Sequence, residues 1–169
     1  MVNRIIHMIT RCGTVKTLVL GIGNQILGDD GVGVHVAQEL AKLIEEDEAI
    51  TVEDASTSGL NLLDIIPGYD KVVIIDAIMT EEGEPGEIYR LRPEDFSKSV
   101  HLTTSMHDAN LPTVLEIGNK LIPEEMPHEI VIFAIEVGEV QTFTEQMTIK
   151  VKEAVPKVLN LVLGELGKK

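Results

Sequence analysis

Two adjacent aspartates in a glycine-rich loop are the first candidates for chemistry. The stretch Thr17–Gly33 reads T-L-V-L-G-I-G-N-Q-I-L-G-D-D-G-V-G and sets Asp29 and Asp30 between a short apolar run and a helical pattern. Acidic residues between the carboxyl end of a strand and the next helix lie where open α/β sheets bind ligands. Another carboxylate, Asp76, ends the apolar run V-V-I-I-D-A. An isolated aspartate at such a point commonly bonds turn amides or caps a helix. In an open sheet, however, first and third strands often lie side by side, and Asp30 and Asp76 would then converge on one crevice. Facing carboxylates repel unless a proton or cation sits between them. The pair therefore suggests an acid–base couple or a divalent metal site.

His107 is the third element, in T-T-S-M-H-D-A-N-L-P, ahead of a helical pattern and among the small polar residues Thr103, Thr104 and Ser105. One imidazole and two carboxylates, with positions left open, suit a borderline divalent cation. The other histidines read as surface or core residues: His35 lies within the first helical pattern, His128 follows Pro127, and His7 and His101 show no partner pattern. There is no H-E-x-x-H, which argues against an ordinary zinc protease. Cys12 is the single cysteine and precedes the first strand, so an internal disulfide or thiolate cluster is excluded and a cysteine nucleophile disfavoured. The G-I-G-N glycine pair is compatible with a dinucleotide loop, with Glu53 or Asp54 on a ribose. The full fingerprint needs glycine where Ile26 stands, and two carboxylates would face the pyrophosphate. No nucleotide is expected.

These residues require a sheet to hold them, and strand and helix signals alternate accordingly. Thr17–Leu20 reads as a short buried strand, with Gly21 and Gly23 giving a tight exit. Val34–Leu43 follows as a helix with a stripe of Val34, Ala37, Leu40, Ala41 and Ile44, ending at the solvated turn Glu45–Glu48. Ile50–Ala55 is a second strand, and Ser58 caps a short helix that runs through Ile66 to Pro67-Gly68. Lys71–Ile78 has the strongest strand signal, an unbroken β-branched run suited to the centre of a covered sheet. Glu81–Gly86 reads as a turn, and Glu87–Leu91 as an antiparallel strand at or near an edge. A helix over Leu111–Ile122 and a strand over Ile130–Val137 follow. Thr142 to Glu145 forms a capping box for a last helix that runs to about Leu163, kinked at Pro156. The expected fold is a three-layer α/β/α arrangement, a mostly parallel twisted sheet of about five strands with helices on both faces.

The chain's 169 residues suit one domain over residues 16–169, with 1–15 as an N-terminal extension and Met1 or Met8 as the start. Fourteen basic against 28 acidic side chains give a formal charge of −14, which argues against nucleic acid or an anionic membrane as partner and favours a basic protein segment. No apolar run reaches the ~20 residues that span a bilayer, so no membrane insertion is expected. A cytoplasmic location follows as the expectation.

Four motifs taken together, G-I-G-N-Q-I-L-G-D-D-G-V-G, D-A-S-T-S-G-L-N-L-L, V-V-I-I-D-A and M-H-D-A-N-L-P-T-V-L, resemble the hydrogenase maturation proteases from Lys16 to the last helix. An acidic pair inside a G-x-G-N loop is not shared with dinucleotide folds. The resemblance implies an endopeptidase that removes a C-terminal extension from the large-subunit precursor of nickel–iron hydrogenase after nickel insertion. It also implies that nickel arrives with the precursor rather than as a permanent cofactor. Carried over residue by residue, it implies metal contact and catalysis at Asp30, Asp76 and His107, with supporting roles for Asp29, Asp54, Gly21, Gly23 and Asn24. Only the family pattern selects Asp30 over Asp29. It leaves open an aspartic-type against a metal-dependent mechanism. The segment I-E-V-G-E around Glu136 departs from the proline-containing version of some members, which implies a different substrate fit at that rim. The same residues would also serve the alternative, a protein that docks the nickel-loaded subunit, or chaperones it, without cutting.

Overall fold

Runs of β-branched and aliphatic residues build one five-stranded sheet in the computed structural model, which describes residues 14–44, 47–55, 59–98, 111–138 and 143–168. The strands are β1 (Thr17–Ile22), β2 (Ile50–Ala55), β3 (Lys71–Ile78), β4 (Ile88–Leu91) and β5 (Glu129–Glu136), in the spatial order β2-β1-β3-β5-β4. All neighbours are parallel except β4, which runs antiparallel along β5 at the edge. First and third strands are therefore neighbours, as the sequence suggested, and β3 is central.

Alternation along the strands divides the core in two. On one face Val19, Val73, Ile75, Phe133 and Ile135 pack beneath α1 (Val32–Leu43) and the C-terminal helix (Ile149–Glu165). On the other, Leu18, Leu20, Val72, Ile74 and Ile132 lie beneath the helix Leu111–Leu121 and a 3-10 turn over Gly59–Asp64. The α/β layers and the strand count agree with the sequence reading.

Local departures have local causes. β1 extends through Gly21 to Ile22, because Gly21 still pairs with both neighbouring strands. α1 begins two residues earlier than its apolar stripe suggested and buries Val32, Val36 and Leu40, while Ala41 turns outward. The short helix expected through Ile66 is a 3-10 helix over Gly59–Asp64, and Ser58, its expected cap, lies outside the described residues. A short helix not anticipated, α2 (Pro93–Lys98), opens with proline in its first turn, where the missing N–H costs nothing. Asp95 reaches back to accept the Arg92 amide at 2.7 Å, one half of a capping box. The helix Leu111–Leu121 is thus α3 and Ile149–Glu165 is α4. α4 starts behind Thr148 rather than at a capping box over Thr142–Glu145: Thr144 instead bridges Leu27, and Thr142 lies outside the described residues. The helix continues through Pro156. Among the described residues no helix is long and apolar enough to cross a membrane.

Candidate active site

The carboxyl end of β1 delivers the acidic loop. At Gly23 the backbone takes φ +150°, and a Cβ there would strike the carbonyl oxygen of Asp30. The chain then turns tightly: the Leu27 amide donates to the Asn24 carbonyl at 3.0 Å and the Ile26 amide to Asn24 Oδ1 at 3.2 Å. A 3-10 turn over Gly28–Gly31 follows, and the Asn24 amide donates to Asp30 Oδ2 at 3.0 Å. Asp30 is 0% exposed. The first turn of α1 rests directly on the sheet, since a Cβ at Gly33 would collide with the carbonyl oxygens of Ile22 and Ile75. This close approach packs the Asp30 turn against β3.

Asp76 sits on that strand. Ile75 is level with Gly21, so Asp76 lies one step further toward the carboxyl edge, level with Ala134 on the other side. It is 7% exposed, and its Oδ1 accepts the Ala77 amide at 2.8 Å. Alternation directs its side chain to the face covered by α3, since Ile75 and Ala77 belong to the opposite core. The eleven residues of α3 span about 16 Å. Its far end leads back to the amino edge, where the Gly68 amide donates to the Glu125 carbonyl and the His128 amide to the Asp70 carbonyl. The first residue of α3, Leu111, therefore stands at the carboxyl edge on the same face as Asp76. His107 precedes it by four positions and lies outside the described residues.

Asp29 is committed elsewhere. Its Oδ1 accepts the Thr148 amide at 2.6 Å and its Oδ2 the Thr148 hydroxyl at 2.8 Å, placing an anion at the amino end of α4, where the helix dipole favours it. The Gly28 amide donates to the Thr144 carbonyl at 2.6 Å, and the Thr144 amide to the Ile26 carbonyl at 2.9 Å. Neighbouring aspartates thus serve different elements: Asp29 fastens the loop to α4, and Asp30 stays with the Asn24 turn beside β3. Asp54 is level with Gly21 but on the β2 side, away from Asp76. It is exposed and accepts Gln38 Nε2 at 3.0 Å, with Gln25 bonded in turn to Gln38. Among the described residues no three His, Cys, Asp or Glu side chains gather as a metal group. The described part of the crevice offers two buried carboxylates from neighbouring elements, which can attract a cation or hold a water.

The profile of the hydrogenase maturation protease family matches residues 34–165. A curated relative, hydrogenase 2 maturation protease of Escherichia coli, is 31% identical over 101 residues, which is 60% of this chain; the match spans 62% of that relative's length. The solved hydrogenase maturating endopeptidase HybD from Escherichia coli superposes with a TM-score of 0.76 at 26% identity, covering 89% of this chain and 91% of that one. A further relative, coenzyme F420 hydrogenase subunit delta of Methanothermobacter thermautotrophicus, is 25% identical over 160 residues, covering 90% of this chain and 95% of that protein. With the family profile matched from α1 to the end of α4 and a solved endopeptidase of the same fold, the chain belongs to the hydrogenase maturation protease family, a class of hydrolases.

Proposed function

We propose that the chain is an endopeptidase that removes the C-terminal extension of a nickel-loaded large-subunit precursor of nickel–iron hydrogenase. The observation that carries this reading is the placement of Asp30 and Asp76, both buried, on a turn and a strand that pack together at the carboxyl edge of the sheet. The family match and the solved endopeptidase of the same fold support the class of reaction.

In this reading nickel belongs to the substrate. Carboxylate oxygens from Asp30 and Asp76 and the imidazole of His107 contact nickel already held by the precursor, a mixed oxygen–nitrogen set that suits such a cation. That grip places the scissile peptide against the crevice, and a precursor without nickel lacks the anchor and is spared. Hydrolysis adds water to the peptide carbonyl. A carboxylate takes the water's proton and returns it to the leaving amine, or the precursor's own metal polarises the carbonyl. The products are a shortened large subunit and a free peptide. In this reading no nucleotide, nucleic acid or resident cofactor takes part, and the protein works in the cytoplasm.

Asp30→Asn and Asp76→Asn keep side-chain shape while removing charge. Each is expected to slow trimming of the nickel-loaded precursor by on the order of 10²-fold or more, with the circular dichroism spectrum unchanged. Normal trimming by Asp30→Ala, Asp76→Ala and His107→Ala alike would overturn the assignment. A second reading draws on the relative named as a hydrogenase subunit, which favours stable docking over turnover. Incubating the protein with nickel-loaded precursor separates them: a shortened product on a gel supports the endopeptidase, and a lasting complex with full-length precursor supports docking.

A further inference from the structure

A further buried carboxylate, Glu136, stands beside the crevice. Glu136 ends β5 and is 1% exposed. It is level with Ile78, two residues beyond the position opposite Asp76, and alternation with Ile135 and Val137 puts its side chain on the same face as Asp76. The other two corners of this patch are Ala134, across from Asp76, and Ile78, across from Glu136. Both oxygens of Glu136 bind one residue: Oε1 accepts the Thr80 amide at 2.7 Å and Oε2 the Thr80 hydroxyl at 3.0 Å. That hydroxyl in turn accepts the Gly83 amide at 2.9 Å, and a Cβ at Gly83 would collide with the Glu136 carboxyl group. On the backbone, the Gly86 amide donates to the Glu136 carbonyl and the Glu136 amide to the Glu87 carbonyl, both at 2.8 Å. The segment from Met79 to Glu87 is thus folded around one carboxylate at the carboxyl edge. Its charge reaches Tyr89, whose hydroxyl is pushed up to about 12 by burial, by its bond to Glu87 and by Glu136.

We infer that Glu136 is a positioning residue for substrate: through Thr80 it fixes the β3–β4 loop as the wall of the crevice next to Asp76. The inference rests on the endopeptidase reading and adds a determinant of substrate fit that acts without touching the scissile bond. A buried carboxylate suits this role because it is acceptor-only and can satisfy an amide and a hydroxyl together.

The test uses the full chain and nickel-loaded precursor. Glu136→Ala is expected to raise KM about three- to tenfold with kcat nearly unchanged, and to speed hydrogen exchange at the Thr80 amide about tenfold. Glu136→Gln, which keeps an acceptor for that amide, restores most of both; Thr80→Val, which keeps the amide bond and loses the hydroxyl, shows a smaller KM rise. Should Glu136→Ala fail to fold, Thr80→Val decides alone, and a wild-type KM in that variant overturns the role. Unaltered exchange at Thr80 in a folded Glu136→Ala protein also overturns it. Failure of the wild-type protein to cut is a different result and refutes the endopeptidase reading itself.

Discussion

Asp29 and Asp30 are chemically identical neighbours, and the fold gives them unlike work. Removing Asp29 strips the Thr148 amide and hydroxyl of their acceptor at the start of α4. Asp29→Ala is therefore expected to lower unfolding free energy by about 1–3 kcal/mol, measured by chemical denaturation. Asp30→Asn retains an oxygen for the Asn24 amide and should change stability much less. An Asp29→Ala protein as stable as wild type would show that the Thr148 contact contributes nothing. The sequence could not separate the two residues, because what distinguishes them is a threonine 119 positions away. Asp76 was easier to read: the V-V-I-I run fixes its strand, and strand alternation fixes its face. Glu136 shows in the sequence only as a departure at the rim, since nothing in its neighbourhood announces Thr80.

At the scale of elements, α1 governs the site because it settles so deeply onto β1 and β3. A methyl group at Gly33 meets two strand carbonyls, and one at Gly21 meets the Gly33 carbonyl and lies 2.6 Å from the Ala37 Cβ. Overpacking of this kind typically costs about 1–3 kcal/mol. Gly33→Ala is expected to lose at least that much and, by lifting the Asp30 turn off β3, to lose precursor trimming more than its stability alone explains. Thermal unfolding beside a trimming assay checks both; full activity in a stable Gly33→Ala protein would contradict the close-packing argument. The long elements were legible for the same reason that they are stable: β3 and β5 are buried over most of their length, and their apolar runs say so. The brief ones were not. A four-residue 3-10 turn at Gly28–Gly31 and the six residues of α2 are too short to show a period. Only the P-E-D opening of α2 carries a signal, through its proline and the aspartate that accepts the Arg92 amide.

Across the whole molecule, an ion-pair network holds the edge of the sheet opposite the candidate site. At the amino edge Lys71, the first residue of β3, meets Glu165, the last of α4, at 2.6 Å and Glu129, the first of β5, at 3.3 Å. Arg90 completes the group, 2.9 Å from Glu165. Burial alone would raise the Glu165 carboxyl, but hydrogen bonds from Lys71 and Arg90 outweigh it and hold the group below its ordinary 4.5. A depressed carboxyl contributes stability in full above 4.5, and that contribution is lost as pH falls through the folded value. For Lys71, burial would lower the ammonium, yet Glu165 and Glu129 hold it above 10.5, so its contribution is full below 10.5 and is lost as pH rises past the folded value. Glu165→Gln should therefore cost about 1–2 kcal/mol at neutral pH, and the gap to wild type should narrow as pH drops below 4.5. Trimming of the precursor should proceed at the wild-type rate, because the network lies at the far edge from Asp30 and Asp76. Glu165 and the Asp29 contact lie at opposite ends of the seventeen-residue α4, about 25 Å apart, so the two stability losses should add within about 0.5 kcal/mol in the double variant. A double variant that departs clearly from additivity, or a Glu165→Gln protein slow in trimming, would mean that the two edges are coupled through α4.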